Sequence, residues 1–240
     1  MTSIENIAYE IREFCLKNAD KTIAEKHRRY FVEGYDPYGI SQKAMNEEHK
    51  LLLLKYKPTF GFDDFLALGD LLMKSGKYEE ASFALMFVTD FSREYQPATF
   101  ERIGSWLDYG VRNWAHADML AVSIFSKFLL KGIVPFTAFS DWRTAESKWK
   151  RRVVPVSLIK FVKKFGRTRE LLDFLSPMML YPEKVVHQGL GWFLREAWKL
   201  NPEPVETFLF QWKDSAPRLI FQYATEKMTA DQKALFKRAK

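Results

Sequence analysis

Apolar residues recur three and four positions apart along almost the whole chain, the period of a helix with one buried face. Ile4, Ile7, Ile11 and Phe14 form the first such stripe, behind Ser3 as an N-cap and ending near Asn18. Asp20 opens a second helix that the pattern carries to about Val32. The run Glu33-Gly34-Tyr35-Asp36-Pro37-Tyr38-Gly39 then breaks the period with turn formers. Ser41 caps a third helix that continues through Tyr56, and Phe62–Lys74 reads as a fourth, stopped by Ser75-Gly76. Positions 77–91 read as a fifth, with Tyr78, Ala81, Leu85 and Val88 on one face, and Pro97–Tyr109 as a sixth.

A long apolar helix follows from Trp114, with Asn113 as its cap and Gly132 as its stop. A short helix lies between Pro135 and Trp142, and a basic one spans 145–165, where Pro155 predicts a kink or an irregular turn. Thr168–Leu175, 183–200, 204–213, 217–227 and a helix from Ala230 to the end complete the series. No stretch sustains period two between turn signals, so the fold class expected is all-α. Helix pairs at a spacing of roughly 35–45 residues point to an α-solenoid of HEAT-like antiparallel pairs in a single domain over residues 1–240. Strict sequence repetition is not visible, and a globular helical bundle is the alternative. A solenoid has a concave face, and a basic one makes a groove for a duplex.

Charge sharpens this. The 240 residues carry a formal net charge of +7, which suits an anionic partner such as nucleic acid. Between Arg143 and Arg169 stand Lys148, Lys150, Arg151, Arg152, Lys160, Lys163, Lys164 and Arg167, opposed only by Glu146. Such a face is either solvated or a phosphate-binding surface whose affinity falls steeply with salt. A second cluster, Lys26-His27-Arg28-Arg29-Tyr30, precedes the tyrosine loop, and basic residues mixed with aromatics suit a backbone clamp. The expected DNA contacts are Arg28, Arg29 and Tyr38 at the N-terminal end, Lys148, Trp149 and Arg151 in the basic helix, and Arg195. The single cysteine, Cys15, excludes an internal disulfide and fits a reducing cytosol, so a cytoplasmic protein is expected. The charged start is unlike a signal peptide, and no apolar run reaches the roughly 18 residues that a membrane span needs.

Phosphate-cradling Gly-rich loops, HExxH, GxSxG and zinc patterns are all absent, so no cofactor or metal is expected. Trp114 and Asp118 stand four residues apart and share one helical face. The structural reading makes the carboxylate a solvated partner of the helix dipole and the indole part of the core. Trp149 with Arg152, and Trp192 with Arg195, are comparable pairs on two later helices. Alternate helices of a solenoid line one face, so the three sets are able to converge on a bound strand. Trp192, beside small Gly189 and Gly191, also reads as a helix-packing anchor. His116 is a supporting or incidental residue, not a base.

Four segments in order resemble the AlkD-like DNA alkylation repair proteins, bacterial alkylpurine DNA glycosylases built from HEAT-like repeats. They are YFVEGYDPYGIS from Tyr30, NWAHAD from Asn113, WKRRVV from Trp149 and GLGWFLREAWKLNPEPV from Gly189, the last being the most specific. PRLIFQYATEKM near the C-terminus is also similar. The resemblance implies that Trp114, Asp118, Arg152 and Trp192 occupy the catalytic and DNA-contacting positions. It implies hydrolysis of the N-glycosidic bond of cationic N3- or N7-alkylpurines in duplex DNA, without a base-flipping pocket; a monomer is expected. The residue chemistry agrees: the alkylated base leaves neutral and needs no general acid, and a carboxylate suits the cationic sugar left behind. The alternatives are a non-catalytic HEAT-repeat protein binding damaged or branched DNA, and a helical scaffold for protein partners.

Overall fold

The computed structural model describes residues 3–238, and among them the regular structure is helical, with no strand. The chain folds as two compact units, Met1–Leu120 and Ala121–Lys240.

The first unit holds α1 (Ile4–Lys17), α2 (Lys21–Arg28), α3 (Gln42–Tyr56), α4 (Phe62–Lys74), α5 (Tyr78–Asp90), α6 (Pro97–Tyr109) and α7 (Trp114–Met119). Its helix starts follow local chemistry. The side chains of Ser3, Asp20, Ser41 and Asn113 each accept a backbone N–H of the turn that follows. Helix α4 packs on α5, and α1 packs on both. Leu68, Leu72, Phe83, Phe87, Phe100, Ile103 and Trp106 fill the space between helices and are fully buried. Gly69 is small because a Cβ there would lie 2.6 Å from the Trp106 ring. The Trp106 indole donates to Asp70 at 2.6 Å, so the largest core side chain keeps its polar atom satisfied. Cys15 is wholly buried, and burial, reinforced by the charges of Glu79 and Glu80, pushes its thiol up to about 12.

Helix α2 stops at Arg28, four residues short of the expected Val32. Two tight turns replace the last helical turn, with Tyr30 N–H bonded to His27 and Phe31 N–H to Arg28. After the turns Phe31 stacks on Tyr35 at 4.3 Å and on Trp114 at 5.6 Å. The following segment is pinned at two glycines with positive φ. Gly34 (φ 65°) lies so close to the Arg112 carbonyl that a Cβ would sit 1.9 Å from it. At Gly39 (φ 92°) a Cβ would sit 2.0 Å from the Asp20 carbonyl. Both places need glycine for space as well as for conformation.

The expected single helix from Trp114 is three pieces in the chain: α7, a π-helical turn at Leu120–Phe125, and α8 (Ser126–Leu130). The Ser126 hydroxyl donates to the Val122 carbonyl across the widened turn at 2.6 Å. The expected short helix after Pro135 is two 3-10 turns, Phe136–Phe139 and Asp141–Arg143.

The second unit continues with α9 (Lys148–Phe165), α10 (Thr168–Leu175), a 3-10 turn at Ser176–Met178, α11 (Lys184–Trp198), α12 (Pro202–Trp212), α13 (Arg218–Ala224) and α14 (Ala230–Leu235). Helix α9 starts three residues later than expected, because Ser147 caps it by accepting the Lys150 N–H. It runs through Pro155 without ending. Helix α12 begins two residues early, with Pro202 in its first turn. Helix α14 ends at Leu235, and the last two residues of the helix expected there lie outside the described residues. Helix α11 is sandwiched between α9 and α13. Its two glycines make this possible: a Cβ at Gly189 would touch the Arg152 carbonyl at 3.3 Å, and one at Gly191 would meet Tyr223 Cβ at 2.4 Å.

Candidate nucleic-acid interface

In the first unit the start of α7 is fixed by a closed polar network. Asn113 Oδ1 accepts the His116 backbone N–H at 3.0 Å, which leaves its Nδ2 to donate. Nδ2 lies 3.2 Å from the Gly34 carbonyl and 3.2 Å from His116 Nδ1. His116 Nδ1 is therefore the acceptor, and its Nε2–H faces the Ser82 hydroxyl at 2.9 Å. Ser82 in turn donates to the Tyr78 carbonyl. Burial pushes the imidazole down to about 4, so the ring is neutral at pH 7. His116 is thus a structural fastener on α7.

Trp114 emerges from this fastened turn 39% exposed. Its indole N–H donates to the Tyr30 carbonyl at 3.0 Å, and its ring stacks on Phe31 at 5.6 Å. Asp118 follows one helical turn later on the same face, half-buried. On the other side of the 30–40 segment, two adjacent carboxylates are buried at the start of α5. Glu79 accepts three backbone N–H groups, those of Tyr38, Gly39 and Ile40, at 2.8, 2.8 and 3.1 Å. Glu80 accepts the Tyr38 hydroxyl at 2.7 Å and the Arg12 guanidinium at 3.0 and 3.2 Å. Burial and the Glu80 bond push the Tyr38 phenol far above its ordinary value. Tyr38, expected as a DNA contact, thus turns its polar end inward to a latch. Arg28 and Arg29 are exposed, and the Arg29 guanidinium lies over the Tyr30 ring at 4.9 Å and bonds its hydroxyl.

In the second unit the basic stretch is largely engaged within its own fold. Arg151 is buried, pairs with Glu183, and also donates to the carbonyls of Ala145 and Glu146. Arg152 is 5% exposed and donates to the Val185 carbonyl at 2.6 Å, tying α9 to α11. Trp149 is buried with Lys148 over its ring. Arg143 bonds the Phe174 carbonyl, and Arg167 and Arg169 pair with Glu170 and Glu203. Glu196 gathers Lys163, Lys199 and Arg195. Burial alone would raise the Glu196 carboxyl, but the bonds and charge of the two lysines outweigh it and hold it down at about 2. Arg195 also pairs with Glu226. Trp192 is half-buried, and Lys160 is exposed.

Residues 12–228 match the family of DNA alkylation repair enzymes. The chain belongs to this family. A solved structure of a predicted DNA alkylation repair enzyme from Enterococcus faecalis is similar to it, with a TM-score of 0.74 and 16% identity, covering 88% of this chain and 96% of that one. At that identity the likeness speaks for the fold, the all-α, solenoid-like class expected from the sequence. No curated protein matches the chain. Membership gives this alkylation-repair protein a role in DNA repair, with DNA as its partner.

Among the sequence-derived candidates, the structure brings Trp114 and Asp118 together on α7 of the repair protein. It groups Trp149, Arg151 and Arg152 on α9, with Arg152 bonded to the start of α11, the helix that carries Trp192 and Arg195. Sequence reading missed Phe31, Glu79 and Glu80. For the two acids a signal existed: they open a helix that is apolar on nearly every side, so they had to be buried, and buried carboxylates need partners. Among the described residues no three His, Cys, Asp or Glu side chains gather as metal ligands would, and no helix is long and apolar enough to cross a membrane.

Proposed function

We propose that this repair-family chain is a DNA glycosylase that hydrolyses the N-glycosidic bond of cationic N3- and N7-alkylpurines in duplex DNA, working through backbone and sugar contacts and acting as a monomer. The observation that carries the reading is the pair on α7: a half-buried carboxylate one turn beyond an indole whose plane is fixed. The C1′–N bond breaks with its electron pair going to the base, which leaves neutral. Water supplies the hydroxyl at C1′, and its proton passes to solvent by way of the carboxylate. Asp118 stabilises the oxocarbenium-like sugar and orients the water. Ring faces of Trp114 and of Trp192 each favour positive charge, by about 0.5–2 kcal/mol. Arg152, buried and oriented by the Val185 carbonyl, contributes charge toward a backbone phosphate. Arg28 and Arg29, exposed beside Tyr30, contribute salt-sensitive affinity.

The test is release of N7-methylguanine and N3-methyladenine from methylated duplex DNA. The Asp118→Asn variant is expected to lose about 100- to 1000-fold in rate. Without release, salt-sensitive binding to duplex or branched DNA would replace the reading with that of a DNA-structure binder. Absence of both would point to a scaffold.

A further inference from the structure

The Trp114 indole lies at the end of a ladder of rings in the first unit. Phe31 stands against its face at an interplanar angle of 20°. Tyr35 stacks behind Phe31 at 4.3 Å and 7°. Tyr78 stands crosswise to both, at 5.6 Å from Phe31 and 5.1 Å from Tyr35, and stacks on the buried His116 ring at 4.5 Å. The segment carrying Phe31 and Tyr35 is fixed to the start of α7 at three places. These are the indole bond to Tyr30, the Asn113 bond to Gly34, and the close approach of Gly34 to Arg112. Phe31 itself is only half-buried, so filling a core does not explain a ring at this position.

We propose that Phe31 is a positioning residue for Trp114: its ring fixes the plane of the indole, so that the face turned away from Phe31 is held ready for the cationic sugar. The inference deepens the reading of Trp114 as a ring that faces developing charge, and rests on it. A cation gains from an aromatic ring only over its face and within about 6 Å of its centroid. An indole free to tilt would offer that face for a fraction of the time. Leucine at position 31 would fill much of the volume and let the ring tilt.

The experiment uses the full chain, labelled with nitrogen-15. The Trp114 indole N–H signal is identified by its disappearance in Trp114→Phe. Phe31→Leu is expected to move that signal and to speed its exchange with solvent by about 10-fold, while the other tryptophan signals stay in place. It is also expected to lower kcat for N7-methylguanine release by about 2- to 30-fold, the range that a cation–ring contact can supply. In a Trp114→Ala background the same substitution is expected to cost nothing further, because its effect passes through the indole. An unmoved indole signal would overturn the proposal, as would a rate loss that persists undiminished in Trp114→Ala. If the unaltered protein releases no base, the glycosylase reading fails, and the indole signal still decides the role of Phe31. Should Phe31→Leu not fold, Tyr35→Leu removes the ring behind it and is expected to move the same signal by less.

Discussion

Removing the Glu79 side chain should loosen the segment on which Trp114 leans. Its two oxygens accept three backbone N–H groups from consecutive residues 38–40, and the residue is 2% exposed, so water does not take over the bonds in the folded state. A hydrogen bond to a charged group contributes about 1.5–3 kcal/mol, and a buried donor left without a partner costs about 1–3 kcal/mol. The three do not add fully, because the freed segment relaxes toward solvent. Glu79→Ala is therefore expected to cost about 3–5 kcal/mol. For a chain of this size that corresponds to a fall in Tm of about 6–20 °C. Glu79→Gln keeps one acceptor oxygen, preserving the bonds to Gly39 and Ile40, and turns an amide donor toward the Tyr38 N–H; about 1–3 kcal/mol is expected. Urea and thermal melts give the size of each effect, and hydrogen exchange at the amides of residues 38–40 gives its place. A Glu79→Ala loss below about 1 kcal/mol, or unchanged exchange at those amides, would refute the claim that this carboxylate holds the segment.

Two further outcomes are expected, one in each unit. His116 is held neutral in the folded state with its proton affinity lowered to about 4, below its unfolded value of 6.5. The unfolded chain therefore takes up the proton first, and stability should decline from about pH 6.5 down to about pH 4, by at most about 3 kcal/mol; melts of the wild type and of His116→Asn across that window should converge if the imidazole is the cause. Gly191→Ala would push a methyl group to 2.4 Å from Tyr223 Cβ and 2.7 Å from the Ile220 carbonyl, so α11 and α13 must separate. The expected cost is about 1–3 kcal/mol despite the better helix propensity of alanine, and a melt showing a gain would contradict it.

Where the chemistry is local, the sequence was legible. Ser3, Asp20, Ser41 and Asn113 cap the helices they were expected to cap, because a cap depends on residues two or three positions away. Helix α2 shows the opposite case: its end is decided by Phe31 stacking on Tyr35 and Trp114, and the latter lies 83 positions further along the chain. Trp114 and Asp118 were legible as a pair because four residues make one helical turn. The latch from Glu79 and Glu80 to residues 38–40 spans about forty positions, and a pair of acids at a helix start has the same appearance whether it is solvated or buried. The basic run 143–169 was legible as charge but not in its bonding, for a related reason. Charge can be counted in sequence, but the carbonyls and carboxylates that engage Arg143, Arg151, Arg152, Arg167 and Arg169 belong to later helices and turns or to unremarkable main chain.

The buried thiol of Cys15 has a consequence for a protein of this family. Agents that alkylate purine nitrogens are electrophiles, and a cysteine thiolate is a better target for them than a DNA base. An ordinary thiol with a pKa near 8.5 is a few per cent thiolate at pH 7, whereas one pushed up to about 12 is ionised in about one molecule in 100,000. Enclosed at 0% exposure and kept protonated beside two carboxylates, the one cysteine of this chain is withdrawn from the chemistry that makes the lesions. Modification of this thiol is therefore not a route by which the exposure that damages the DNA disables the repair protein.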